Sequence, residues 1–161
     1  EEPGCGGVTM LPYLTGERTP NWPGASGALF GLRPGSLRPG KLYRAALEAA
    51  TFSVLSGYNR MREMGFSCTE LRVVGGGSKN GLWRQVIADA FQVPLRFPTE
   101  PESAALGAAL QAAAVSMGQP VAAYVRSHEP PLAPETVRPD ARHAAAYAEA
   151  FAQYQALGLR L

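Results

Sequence analysis

Apolar and polar positions follow two different rhythms along this chain. Short apolar runs bounded by turn formers occur at residues 8–13 (VTMLPY), 27–32 (GALFGL), 70–75 (ELRVVG) and 94–97 (PLRF). Runs of this length and composition predict β-strands. Helical spacing appears elsewhere. Over 39–64, Leu42, Ala46, Ala49 and Phe52 share one face, and Gly65 is placed to end the helix. Over 81–92, Leu82, Val86 and Ala90 form a stripe behind Asn80, a residue type suited to capping. Residues 99–118 predict a third helix, with Thr99 as cap, Glu102 completing a capping box and Gly118 as the stop. A fourth runs from Asp140 to Leu157, with Tyr147, Phe151 and Tyr154 as a packing stripe.

Between these elements, 14–26 (LTGERTPNWPGAS) reads as an extended loop and 127–139 as a proline-rich connector. The order β-loop-β-α-β-α-β-α-α predicts an α/β domain, a mixed sheet flanked by helices.

Length and composition narrow the function classes. A chain of 161 residues suits one domain, and 46% hydrophobic with 17% charged residues is ordinary for a globular protein. A net charge of +2 without a basic cluster gives no reason to expect a nucleic-acid partner. No apolar run reaches the ~20 residues a membrane-spanning helix needs, and no secretory pattern precedes the first strand. Cys5 and Cys68 make neither a disulfide framework nor a zinc site and read as thiols of a reducing, cytoplasmic compartment. The opening EEPGCGG carries no methionine, which predicts a processed chain or a piece of a longer one.

One stretch raises a question of chemistry. VVGGGSKNGLW (73–83) places Gly75, Gly76 and Gly77 between a strand and a helix start. Consecutive glycines mark a sharp turn, a positive φ, or a ligand pressed against the backbone. A glycine-rich strand-to-helix turn in an α/β fold is a common seat for a phosphorylated ligand. The named motifs nevertheless fail: GxGxxG from Gly75 meets Asn80, and the Gly76–Gly81 spacing is followed by Leu82 rather than the lysine of a P-loop. Spacing alone leaves a structural turn and a nucleotide site equally open.

Four stretches taken together resemble the C-terminal domain of the FGGY carbohydrate kinases, most closely the xylulokinases. They are LPYLTGERTPNW (11–22), GALFGL with LYRAALEAATFSV (27–54), LRVVGGGSKNGLWRQVIADAFQVPL (71–95) and ESAALGAALQAA (102–113), and the closing YAEAFAQYQAL also fits. Two positions depart from the pattern. Lys41 precedes LYRAALE where the family usually has a polar or acidic residue, and Asn80 stands where xylulokinases more often have serine and glycerol kinases asparagine.

The resemblance implies an actin-like, ribonuclease H-like lobe and a kinase that uses ATP and Mg²⁺. It implies that Gly75, Gly76 and Gly77 lie against the adenosine of ATP or ADP, with Ser78 and Asn80 near the base or ribose. The sugar would be held mainly by an N-terminal lobe that this chain does not contain. The catalytic carboxylate would also lie there, so no catalytic or metal-ligating residue is assigned within 1–161.

The remaining candidates weigh as follows. Asp89 falls in mid-helix and reads as structural, and Asp140 reads as a helix cap. Glu17 and Arg18, in GERTP, are expected either to line the cleft between the lobes or to brace their own loop. Glu102 reads as a cap, and His128 and His143 as solvent-facing. The small residues Ala104, Ala105, Gly107, Ala108 and Ala109 suit close helix packing. Trp83 reads as core, and Trp22 as core or cleft edge. Without its partner lobe the domain should expose apolar surface and form a homodimer.

Overall fold

The structure, a computed structural model, describes residues 1–100 and 102–160. Its elements are β1 (Thr9–Leu11), β2 (Ala28–Phe30), α1 (Pro39–Glu63), β3 (Leu71–Arg72), α2 (Gly81–Phe91), β4 (Leu95–Pro98), α3 (Ser103–Ser116), α4 (Val121–Ser127), β5 (Leu132–Val137) and α5 (Ala144–Gly158). The chain divides into two compact units. One comprises Glu1–Cys68, Val86–Gln92 and the chain from Pro139 on; the other comprises Thr69–Gln85 and Val93–Arg138.

The first unit is built from an antiparallel ribbon of β1 and β2, in the register Thr9↔Phe30, Met10↔Leu29 and Leu11↔Ala28, together with α1 and α5. Its core follows the aromatic stripe of α5. Phe52 of α1 packs against Tyr147, Phe151 and Tyr154 with ring centroids 6.4, 5.6 and 5.6 Å away. A buried phenol needs a polar partner; Tyr154 finds one in the hydroxyl of Tyr13, at 2.7 Å. Gly65, at φ 91°, ends α1 as predicted, and the Phe66 N–H closes the motif on the Met61 carbonyl at 3.1 Å.

The buried face of α1 is rotated from the one periodicity suggests. Leu42 and Ala46 are only half-buried, whereas Ala45, Arg44 and Glu48 are buried. The two charges are tolerated because they pair with each other and with further polar groups. Glu48 Oε1 accepts from Arg44 Nε at 2.9 Å and from the Gly4 N–H at 3.0 Å. Arg44 donates onward to the Glu1 carbonyl (2.8 Å) and the Tyr147 hydroxyl (2.7 Å). Burial pushes the Glu48 carboxyl up, against the opposing pull of Arg44 and the Gly4 N–H.

In the second unit β3 and β4 run parallel (Leu71↔Leu95, Arg72↔Arg96), and β5 lies antiparallel to β4 (Leu95↔Val137, Arg96↔Thr136, Pro98↔Leu132). The parallel pair needs a crossover, and α2 is it. Its residues up to Gln85 belong to this unit and those from Val86 to the other.

The structure departs from the sequence expectations in four places. The segment 127–139 is not a plain connector, because β5 occupies most of it. Pro134 is compatible with that strand because β5 is an edge of its sheet, where a missing N–H costs no ladder bond. α4 was not foreseen at all. The predicted capping box at Thr99 and Glu102 is also absent: α3 begins at Ser103 and Glu102 makes no side-chain cap, while the Thr99 N–H is drawn to the Pro131 carbonyl at 3.0 Å. Pro101, inside the stretch predicted as helix, lies outside the described residues. Gly118 does end this region, at φ 63°. Among the described residues the strands form two small sheets rather than one, a two-stranded ribbon and a three-stranded mixed sheet.

Candidate functional site

The glycine turn follows β3 directly. The Val73 N–H still bonds to the Arg96 carbonyl at 3.0 Å, and two residues later the backbone turns sharply. Gly75 has φ 82° and ψ −179°, a conformation that is essentially glycine's alone. Gly76–Lys79 then form one turn of 3₁₀ helix and lead into α2.

The three glycines of the triplet are under different constraints. Gly75 is required by its φ, since a methyl group there would meet nothing within 4 Å. Gly77 is required by packing: a methyl on it would stand 2.9 Å from Cε3 of Trp83 and closer still to Cζ3. Gly76 has neither constraint. Its φ is ordinary and the space a side chain would fill is open.

The side chains around the turn are spent on holding it. Ser78 is buried, and its hydroxyl donates to the Gly75 carbonyl at 2.6 Å beside its own N–H at 3.1 Å. Asn80 Oδ1 accepts the Trp83 N–H at 3.1 Å, the N-cap bond expected of it. Arg84 holds the turn from the helix side. Its Nε donates to the Ser78 carbonyl, its Nη1 reaches both oxygens of Glu135 at 2.8 Å, and its guanidinium lies 4.1 Å from the centroid of the Phe97 ring.

What remains exposed is backbone at Gly76 and Gly77, with Lys79 beside it, at the N-terminal end of an 11-residue helix. Such a turn admits a ligand that approaches the main chain closely. The roles of Trp83 and Arg84 were not read from the sequence. Trp83 is half-buried rather than core. The i, i+6 relation between Gly77 and Trp83 carries no standard periodic signal.

The other candidates gather elsewhere. Asp89, 2% exposed, accepts from the Asp140 N–H and from Nδ1 of His143, both at 2.7 Å. His143 is thus not free in solvent as expected; its ring is tied to a buried carboxylate. Asp140 caps the turn Ala141–His143 through the Arg142 N–H at 2.9 Å, and hydrogen bonds from the Arg142 side chain hold its carboxyl well below the usual range. His128 is exposed, stacked 4.0 Å over Tyr124.

Glu17 and Arg18 line an open concavity with Thr15, Gly16, Asn21 and Pro23. Glu17 Oε1 accepts the Arg18 and Thr19 N–H groups at 2.7 and 3.1 Å, which lowers its pKa. The loop is braced by backbone bonds between Glu17 and Trp22 at 2.8 and 3.0 Å, and by the edge of Trp22 on Tyr13, with ring centroids 5.5 Å apart. Among the described residues no cluster of three His, Cys, Asp or Glu could hold a metal ion, and no helix is long and apolar enough to cross a membrane.

Residues 1–116 match the family model described as the FGGY family of carbohydrate kinases, C-terminal domain. A xylulose kinase of Haemophilus influenzae is 38% identical over 109 residues, 68% of this chain and 22% of that protein. A glycerol kinase of Citrifermentans bemidjiense is 44% identical over 112 residues, again 68% and 22%. Among solved structures, a xyloylose kinase from Brucella ovis superimposes with a TM-score of 0.81 at 34% identity, over 98% of this chain and 32% of that one. The chain therefore spans less than a third of the length of these relatives.

Proposed function

The chain belongs to the FGGY family of carbohydrate kinases and has that family's actin-like α/β fold; from this premise we propose that it is the nucleotide-binding C-terminal lobe of an ATP-dependent sugar kinase acting on D-xylulose. The observation that carries the reading is Gly76. It is the one residue of the triplet with no internal reason to lack a side chain, and a ligand lying against the main chain supplies that reason.

In this reading Gly75, Gly76 and Gly77 lie along the adenosine of ATP or ADP. Ser78 and Asn80 act mainly through the backbone they hold: Ser78 closes the turn onto Gly75 and Asn80 caps α2. ATP brings the transferable phosphoryl group and Mg²⁺ to the site. The lobe's own task is to grip the nucleoside end and fix the direction of the phosphates, which leaves chemistry to geometry and charge stabilisation.

Neither aspartate of the chain is presented as a base. Asp89 is committed to Asp140 and His143, and Asp140 to Arg142. The reading accordingly assigns the carboxylate that deprotonates the sugar hydroxyl, and most of the sugar contacts, to an N-terminal lobe outside this chain. The cell compartment is the cytoplasm, and the isolated lobe forms homodimers through uncovered apolar surface, where Val54, Met61 and Met64 stand exposed on or at the end of α1. Light scattering tests the last point.

The reading is tested on the full-length protein that carries this domain, by ADP release from Mg-ATP with D-xylulose, glycerol or gluconate supplied singly. Turnover with D-xylulose supports it. Turnover with glycerol instead favours the reading that Asn80 and the 44% identity to a glycerol kinase suggest. The 161-residue chain alone should bind ADP and release none from ATP.

A further inference from the structure

Trp83 lies in contact with the glycine turn but has no part in the assignments above. Its ring occupies the space into which a Gly77 side chain would project. Its backbone N–H is held by Asn80 Oδ1, so the capped start of α2 fixes the main chain from which the indole projects. The next residue, Arg84, grips the Ser78 carbonyl and is itself held by Glu135 and Phe97. Gly77 is exposed and Trp83 half-buried, so the indole forms a floor under an otherwise open piece of main chain.

We propose that Trp83 is a positioning residue for the nucleotide: by filling the place of the Gly77 side chain it fixes the turn at the height where Gly76 meets the ligand. This inference rests on the nucleotide reading of the turn. It adds that affinity depends on an aromatic floor that touches the main chain.

A rigid, flat ring suits the task because it supports a backbone lacking side chains of its own. A flexible aliphatic in its place would leave Gly75, Gly76 and Gly77 free to sample many conformations, since glycine loses the most backbone freedom on ordering. The entropy of ordering the turn would then be lost on ligand binding rather than on folding. Gly77 and Trp83 should therefore behave as one unit, in which changes to either are non-additive.

The test uses the full-length protein that carries this domain, with ADP as the probe and binding read by calorimetry. ADP should bind the parent protein saturably. Trp83→Ala, measured by calorimetry, should weaken ADP binding at least tenfold while circular dichroism still shows a folded chain. Gly77→Ala should weaken it comparably in the parent background, and should cost little further in the Trp83→Ala background, where the methyl has room.

Three results would overturn the inference. One is a folded Trp83→Ala chain that binds ADP with the parent Kd. Another is a Gly77→Ala penalty equal in both backgrounds. The third, ADP binding absent from the parent chain itself, would remove the nucleotide reading along with the inference, and is thereby distinguished from the first two.

Discussion

Replacing the three glycines of the turn one at a time should give three different outcomes, and the central one is decisive. Gly75→Ala forces an alanine into φ 82°, ψ −179°, at a cost of about 1–3 kcal/mol. For a chain of this length each kcal/mol lowers Tm by about 2–4 °C, so a fall of roughly 4–8 °C is expected from a mid-range cost of about 2 kcal/mol. Gly77→Ala should be destabilised too, because Trp83 must move. Gly76→Ala should not be destabilised. Its φ is ordinary and its added methyl meets nothing within 4 Å, so the change in stability should stay within about 0.5 kcal/mol. Its effect belongs to binding: a methyl between main chain and ligand should raise the Kd for ADP about tenfold or more, which is ~1.4 kcal/mol. The assay is a thermal melt and an ADP titration by calorimetry on each variant. If Gly76→Ala melts as low as Gly75→Ala, the assignment of separate reasons to the three glycines is wrong. If it melts like the parent and binds ADP like the parent, the space above Gly76 is not where the nucleotide lies.

Other consequences concern the first unit. Glu48→Gln leaves the buried Arg44 guanidinium without its counter-charge, which should cost about 3–5 kcal/mol in urea unfolding; Arg44→Met combined with Glu48→Leu should cost clearly less than the two single changes added, and simple additivity would contradict the network. Asp140 has its carboxyl depressed by Arg142, so it stabilises the fold above its unfolded pKa of about 3.9 and stops doing so as pH falls through the lower folded value. The Tm gap between the parent and Asp140→Asn should therefore be present at pH 7 and close only well below pH 4; a gap that closes near pH 6 would point to a different group. Cys5 is buried, and its thiol is pushed up to about 12 by burial, then by Glu48, whereas Cys68 is exposed. An aromatic disulfide reagent at pH 8 should thus titrate one thiol in the native chain and two in urea, and rapid native reaction of both would show the Pro3–Gly7 segment to be open.

The sequence carried a good deal of this by local means. Helices α1, α2 and α5, the Asn80 cap and the Gly65 and Gly118 stops depend on contacts three to six residues apart, so their signals lie within a short window of the chain. The set of motifs around GERTP and GGGSKNGLW was specific enough to identify the family resemblance. The triplet itself announced that something unusual happens at 75–77.

Its meaning was decided only by the fold. Three identical residues in a row cannot say that one is needed for its φ and one for an indole six positions on, while the third has only open space beside it. Those distinctions arise from where Trp83 and the open surface lie in three dimensions. The same limit hid β5, because its prolines mark a breaker unless the strand is known to lie at an edge. It hid Arg44 and Glu48 as well: an i, i+4 charge pair looks like an exposed helix face, and only the hydroxyl of Tyr147, the Glu1 carbonyl and the Gly4 N–H make its burial affordable. Short-range spacing writes the elements into the chain, whereas the burial of a charge and the purpose of a glycine depend on partners distant in sequence.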